Sequence, residues 1–241
     1  MFNVESRDNY WMLNFLDQFM EGHKGFICGG CFKNIFNKEK VKDLDIFFKS
    51  REDWQDAVEY YDRKTAGYWI DGDEDNQVAE EDAEYNFLYE NKNVKAYVHK
   101  KTGIRIELCC KIFGTAEDVL SQFDFTITKF AYYKEEVEDA TGADVGNPFD
   151  DEFEELFNDT KNTHIEYKIL VHDKFFEHLH MKRLVTDDKI PFPMSTLERA
   201  FRYAKYGYFP CKETKMKMAR AIKELSNVQL EVSESLYDGM D

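Results

Sequence analysis

The sequence has no run approaching the ~18 apolar residues that a membrane-spanning helix needs. Its start, MFNVESRDNYWMLNF, lacks both the basic head and the apolar stretch of an export signal. The chain therefore reads as soluble and cytoplasmic. Cysteine is scarce: five in 241 residues, an odd number that suits reduced thiols better than a disulfide framework. A zinc site is short of ligands. Cys28-Gly-Gly-Cys31 has no second closely spaced pair, and Cys109 and Cys110, adjacent on a strand, point to opposite faces. Internal repeats and low-complexity stretches are absent. Lys and Arg are missing from two segments, residues 71–90 with nine acids and residues 135–159 with eleven. The net charge of −16 argues against a phosphate-backbone partner. Outside those segments, however, 28 acids face 32 bases, and residues 199–223 carry eight bases against Glu213 alone. The two acidic segments read as solvated loops, and the remainder leaves room for a local anionic partner.

What is present is a large apolar supply, 43% hydrophobic and 16% aromatic, enough for one large domain with at most a small appendage. Trp11, Phe15 and Phe19, four apart with Leu16 beside them, predict an amphipathic helix over 8–22. GFIC reads as a buried strand, CFKNIF as a short helix, and DLDIFF as a strand with Leu44, Ile46 and Phe48 on one face and Asp43 and Asp45 on the other. REDWQDAVEYYDR reads as a helix. VKAYVHKKTGIRIELCCKIF reads as a hairpin turning at Thr102-Gly103. Thr115 is placed to cap AEDVLSQF. A strand IEYKILV, a helix DKFFEHLH and two final helices follow, TLERAFRYAKYG stopped by Gly207 and then KETKMKMARAIKEL. The mixture is α+β.

The chemistry concentrates in GFICGGCFKNIFNKEKVKDLDIFF, residues 25–48. Cys28 and Cys31 sit where a thiol oxidoreductase would place its redox pair, between a strand and a helix, but that reading leaves Asp43 and Asp45 unexplained. Two aspartates at i and i+2 on a strand stand on one side about 6–7 Å apart at Cα. They can hold hard divalent cations such as Mg²⁺ or Mn²⁺, which stabilise in-line displacement at phosphorus. Gly29 and Gly30 at the strand-to-helix turn let backbone N–H groups approach a polyphosphate.

These residues resemble the active-site signature of the DNA polymerase beta-like nucleotidyltransferase superfamily. The nearest resemblance is to the head domain of bacterial-type CCA-adding enzymes and poly(A) polymerases, with Gly-Gly-x-Val-Arg-Asp, a short helix and Asp-x-Asp. DFTITKFA, from Asp124 to Ala131, is similar to that family's RRDFTINAMA segment. RAFRYAKYGYF, from Arg199 to Phe209, is similar to its neck helix RAIRFAARLGF. The resemblance spans about residues 24–50, 104–133 and 195–210. It implies a nucleotidyltransferase head over 1–180, interrupted by the acidic segments at 71–90 and 135–159, and a small helical neck-like part over 181–241. A complete CCA-adding enzyme is not expected, and short acidic proteins of this kind are similar to stand-alone nucleotidyltransferases of bacteriophages.

By the resemblance, Asp43 and Asp45 would ligate two Mg²⁺ ions, with Glu107 as the candidate third metal carboxylate. Gly29, Gly30 and Lys33 would hold an NTP's phosphates, and Asp124 and Thr126 its ribose side. Arg199 and Arg202 would contact phosphate or an acceptor. The reaction implied is transfer of NMP from NTP, ATP or another, to a hydroxyl of RNA, a protein or a small molecule, with pyrophosphate leaving. The chain also departs from the pattern. Lys33-Asn34 replaces Arg-Asp, no arginine pair precedes Asp124, and PFPMST stands where the base-selecting motif belongs. The alternative these departures favour is a non-catalytic nucleotide-binding or partner-binding module on the same fold.

Overall fold

The computed structural model describes residues 1–68, 77–138 and 163–225. Ten strands and six α-helices are described: β1 (Phe2–Ser6), β2 (Phe26–Cys28), α1 (Cys31–Phe36), β3 (Asp43–Phe48), α2 (Arg51–Asp62), β4 (Tyr85–Glu90), β5 (Val94–His99), β6 (Arg105–Phe113), α3 (Ala116–Ser121), β7 (Phe130–Glu138), β8 (Thr163–His172), α4 (Phe175–His180), β9 (Arg183–Leu184), α5 (Pro193–Ala204), β10 (Phe209–Pro210) and α6 (Lys212–Lys223). Eight strands form one mixed sheet in the order β1-β8-β7-β2-β3-β6-β5-β4. Its neighbours run antiparallel except β3 and β6, which are parallel. β9 and β10 make a separate parallel pair.

Strand alternation divides the apolar residues between two faces. Leu44, Ile46 and Phe48 of β3 join Ile106 and Leu108 of β6 in the main core, beneath α1, α2 and α4. Phe47, Cys28 and Cys109 point the other way and meet Val119 and Leu120 of α3 in a smaller cluster. Because α3 is only six residues long, it covers one end of that second face. Asp43, Asp45, Arg105 and Glu107 stand on the part it leaves open.

Local rules explain most of the elements. Thr115 and Asp118 form a reciprocal capping box at the start of α3, and the Ser50 side chain accepts from Asp53 N–H at the start of α2. Gly103 carries the left-handed φ of +69° at the β5–β6 turn. Pro193 opens α5, which ends at Ala204, with Gly207 at φ +82° just beyond.

Four expectations change. The first helix is a 3₁₀ helix over Arg7–Phe19, broken at Tyr10. With three residues per turn, Leu13, Leu16 and Phe19 share a face and are fully buried. Trp11 is left 74% exposed and Phe15 38%, so the expected spacing of four picked the wrong pair beside Phe19. Secondly, the N-terminal residues form a strand, β1, pairing with β8. Thirdly, the acidic segments are not loops throughout. β4 occupies 85–90 of the first, and residues 135–138 of the second continue β7 against β8. Residues 71–76 and 139–159 of those segments lie outside the described residues. Finally, the C-terminal part is not purely helical, since β9 and β10 brace it.

Candidate functional site

The parallel register of β3 and β6 sets Asp43 opposite Arg105 and Asp45 opposite Glu107, while β2 places Cys28 beside Asp45. The Arg105 guanidinium lies between two carboxylates. Its Nη2 and Nε donate to Asp43 Oδ1 at 2.7 and 2.9 Å, and its Nε is 3.0 Å from Glu107 Oε1. Tyr89 Oη, from edge strand β4, also donates to Glu107 Oε1 at 3.1 Å. Asp45 is the acid without a paired cation. Burial, the charges of Glu107 and Asp43 and a hydrogen bond shared with Glu107 push its carboxyl up to about 7, against the pull of Arg105.

Asp43 and Asp45, but not Glu107, line a cavity of about 550 Å³ together with Gly29, Gly30, Phe47, Phe123, Lys111, Phe192, Arg199, Arg202 and Tyr203. Gly29 has φ +96°, and a Cβ there would stand 3.3 Å from the Phe123 ring and 3.4 Å from Asp45 Oδ2. A side chain would therefore be strained and would crowd the carboxylate. A second cavity of about 370 Å³ opens on the other side of Gly30 and Tyr203, sharing Asp43, Arg199 and Arg202 and adding Lys33, Lys40 and Lys42.

Of the residues expected in the site, Gly29, Gly30, Asp43, Asp45, Arg199 and Arg202 line the larger cavity. Lys33 lines only the smaller one, and its Nζ is held 2.9 Å from Glu39 Oε2 and above the Tyr206 and Tyr208 rings. Two residues are placed differently from expectation. Asp124, 4% exposed, lines neither cavity: its Oδ1 accepts from Phe125 N–H and its Oδ2 stands 2.9 Å from Arg199 Nε without an aligned hydrogen bond. It ties α5 to the sheet. Thr126 is buried with its hydroxyl 2.8 Å from His178 Nδ1, and Thr128, two residues on, lines the cavity instead. The tight 3₁₀ turn Thr126–Thr128 turns Thr126 inward.

Sequence reasoning missed Arg105 as the partner of Asp43, because that pairing depends on β3–β6 register. It also missed Tyr203, whose hydroxyl would touch a Cβ at Gly30 at 3.4 Å. The spacing Arg199–Tyr203, one helical turn, was a usable signal. The thiols face away from reactivity. Cys28 and Cys31 are buried and burial raises both well above an ordinary thiol, the reverse of a reactive pair.

The donor set suits a hard divalent cation at Asp43 and Asp45: carboxylate oxygens are the ligands such ions take, and burial together with the neighbouring charges of Glu107 and Asp43 disfavours a bare Asp45 carboxylate. Among the described residues, no three His, Cys, Asp or Glu side chains converge as a metal-holding group. Glu107 is beside the pair but engaged by Arg105 and Tyr89.

Comparison with known proteins fits this geometry. Solved structures of CCA-adding enzyme resemble the fold: the complex with CTP has 16% identity and a TM-score of 0.52, covering 95% of this chain and 49% of that one. An apo form has 14% identity and a TM-score of 0.50, covering 92% and 46%. The chain thus spans about half the length of those enzymes, and its mixed sheet flanked by helices is similar to their head domains. A search of curated proteins found no match. A family model described as "Gabija anti-defense 2 family protein" matches residues 6–182, and the chain belongs to that Gabija anti-defense 2 family.

Proposed function

We propose that the chain is a metal-dependent nucleotidyltransferase that moves NMP from an NTP, ATP or another, to a hydroxyl acceptor. The observation that carries this is the shared cavity of Gly29, Gly30, Asp43, Asp45, Arg199 and Arg202 on a CCA-adding-like fold. The acceptor oxygen forms a bond to the α-phosphorus as the bond to the bridging oxygen breaks, and pyrophosphate leaves with that electron pair. Asp43 and Asp45 would hold Mg²⁺ or Mn²⁺, which supplies positive charge for the displacement. Arg199 and Arg202 meet phosphate charge, and the open backbone at Gly29-Gly30 lets it approach. Phe47, Phe123 and Phe192 offer flat apolar surface to a base.

The working division is a nucleotidyltransferase head over 1–180 and a neck-like part over 181–241 that supplies the arginines. The family description supports the further proposal that the acceptor is a component of the Gabija defence and that the protein acts in the cytoplasm of a phage-infected host. Incubation with labelled NTPs, Mg²⁺ and extract from Gabija-bearing cells tests this. Label should appear on an acceptor and vanish with Asp43→Ala plus Asp45→Ala; transfer that survives both changes overturns the site.

The non-catalytic module remains a second reading, favoured by Lys33 and Asp43 already being neutralised by Glu39 and Arg105. Calorimetry separates the two: NTP binding without transfer to any extract component favours the module, and absence of NTP binding with and without Mg²⁺ contradicts both.

A further inference from the structure

We propose that Arg105 takes the place of a second metal ion, so that the site holds one divalent cation rather than two. The inference rests on the metal-dependent reading above and specifies how many ions the site takes and which acids hold them. Paired acids on one strand with a third on its neighbour present enough oxygens for two ions. Here one part of that set is already spent. Arg105 makes two charge-assisted contacts to a single oxygen, Asp43 Oδ1, at 2.7 and 2.9 Å, and a third to Glu107 Oε1 at 3.0 Å. The guanidinium therefore fills the space between Asp43 and Glu107, where an ion would have to sit to bind both.

Of the oxygens on the cavity wall, Asp43 Oδ2 and the Asp45 carboxylate are left, on one strand, and they make a donor set for a single ion completed by water or phosphate. Glu107 Oε1 takes both Arg105 and the Tyr89 hydroxyl, and Glu107 does not line the cavity that Asp43 and Asp45 share. A guanidinium cannot lose its proton in this setting and presents its N–H groups in a rigid plane, so it provides permanent positive charge where an ion would otherwise exchange. Arg105 is thus a positioning residue: it holds Asp43 in place and leaves Glu107 outside the coordination sphere.

The test is Mn²⁺ binding to the full chain, counted from the loss of the free-ion paramagnetic resonance signal. The wild-type chain should bind one Mn²⁺, and Glu107→Gln should leave that ion bound with affinity changed less than about threefold. Asp45→Asn should abolish binding. Arg105→Gln should gain a second Mn²⁺ and Arg105→Lys, which keeps the charge, should not. Two Mn²⁺ in the wild type, loss of the ion in Glu107→Gln, or one ion still in a folded Arg105→Gln each overturns the assignment while leaving metal-dependent transfer intact. No Mn²⁺ bound by any variant instead overturns the metal-dependent reading itself. If Arg105→Gln fails to fold, the Glu107→Gln result decides alone, since that change removes a charge without emptying strand β6.

Discussion

Two ionic groups sit in the same fold and obey the same electrostatics with opposite outcomes. In the first, Lys129, 1% exposed, bridges Asp187, whose other oxygen is 3.5 Å from His172 Nε2. The hydrogen bonds from His172 and Lys129 hold the Asp187 carboxyl well below the usual range. In the second, three acids share one guanidinium, and the Asp45 carboxyl rises to about 7. The first group balances its charge internally and serves as a tie between the sheet and the segment entering α5. The second is short of positive charge, and that shortage is what a cationic ligand would relieve. The difference shows how a structural ion pair is told from a candidate site without reference to any relative.

The comparison can be broken most severely at the tie. Asp187→Ala leaves Lys129 charged and buried without a partner, and should destabilise the fold by about 3 kcal/mol, read from urea unfolding. A loss below about 1 kcal/mol would mean that Lys129 finds water or another acceptor. At the site the sign should reverse. Asp45→Asn should abolish nucleotide transfer yet stabilise the metal-free protein above pH 7. The folded carboxyl is raised above its unfolded value near 3.8, so folding binds protons between about pH 4 and 7, and the penalty grows as pH rises through that window. Below pH 4 the variant and wild type should match.

His23 extends the comparison to a group with no charge partner. It is buried, its Nε2–H donates to Phe19 O at 3.0 Å and its Nδ1 accepts from Gly25 N–H at 3.0 Å, and burial lowers it to about 4. The fold needs it neutral, so stability should fall by roughly 1 kcal/mol or more as pH drops from 6.5 towards 4. His23→Gln should flatten that part of the profile. The smallest effect is expected at Arg63, which pairs with Glu59 one helical turn away with both side chains exposed. Arg63→Ala should change stability by less than about 0.5 kcal/mol, a baseline against which the Asp187 and Asp45 groups stand out.

The parts of this architecture that sequence reveals are those set by local rules. Asp43 and Asp45 alternate with Leu44 and Ile46, the Thr102-Gly103 turn follows from its glycine, and Thr115 caps α3 as its spacing with Asp118 requires. The site's acids were visible for the same reason. What escaped depends on partners distant in sequence. Arg105 and Glu107, two apart on a strand, share a face, but only the parallel register of β6 with β3 brings Arg105 onto Asp43. β1 is visible only through its pairing with β8, 160 and more residues away. The first helix misled because its apolar residues fit two periods, and the 3₁₀ choice that buries Leu13 instead of Trp11 is decided by packing. Asp124 and Thr126 match a motif in identity, and only the structure shows their partners, Phe125 N–H and Arg199 for the one and His178 for the other.

In the proposed function, Asp43 and Asp45 support transfer of a nucleotide from within the cavity they share with Gly29, Gly30, Arg199 and Arg202. Its most direct test is transfer of label from an α-phosphate-labelled NTP to a macromolecular acceptor in extract of Gabija-bearing cells, with and without Mg²⁺. Label that appears only with Mg²⁺ and is lost in the chain carrying Asp43→Ala and Asp45→Ala is the predicted result. Label that persists in that doubly substituted chain would contradict the account.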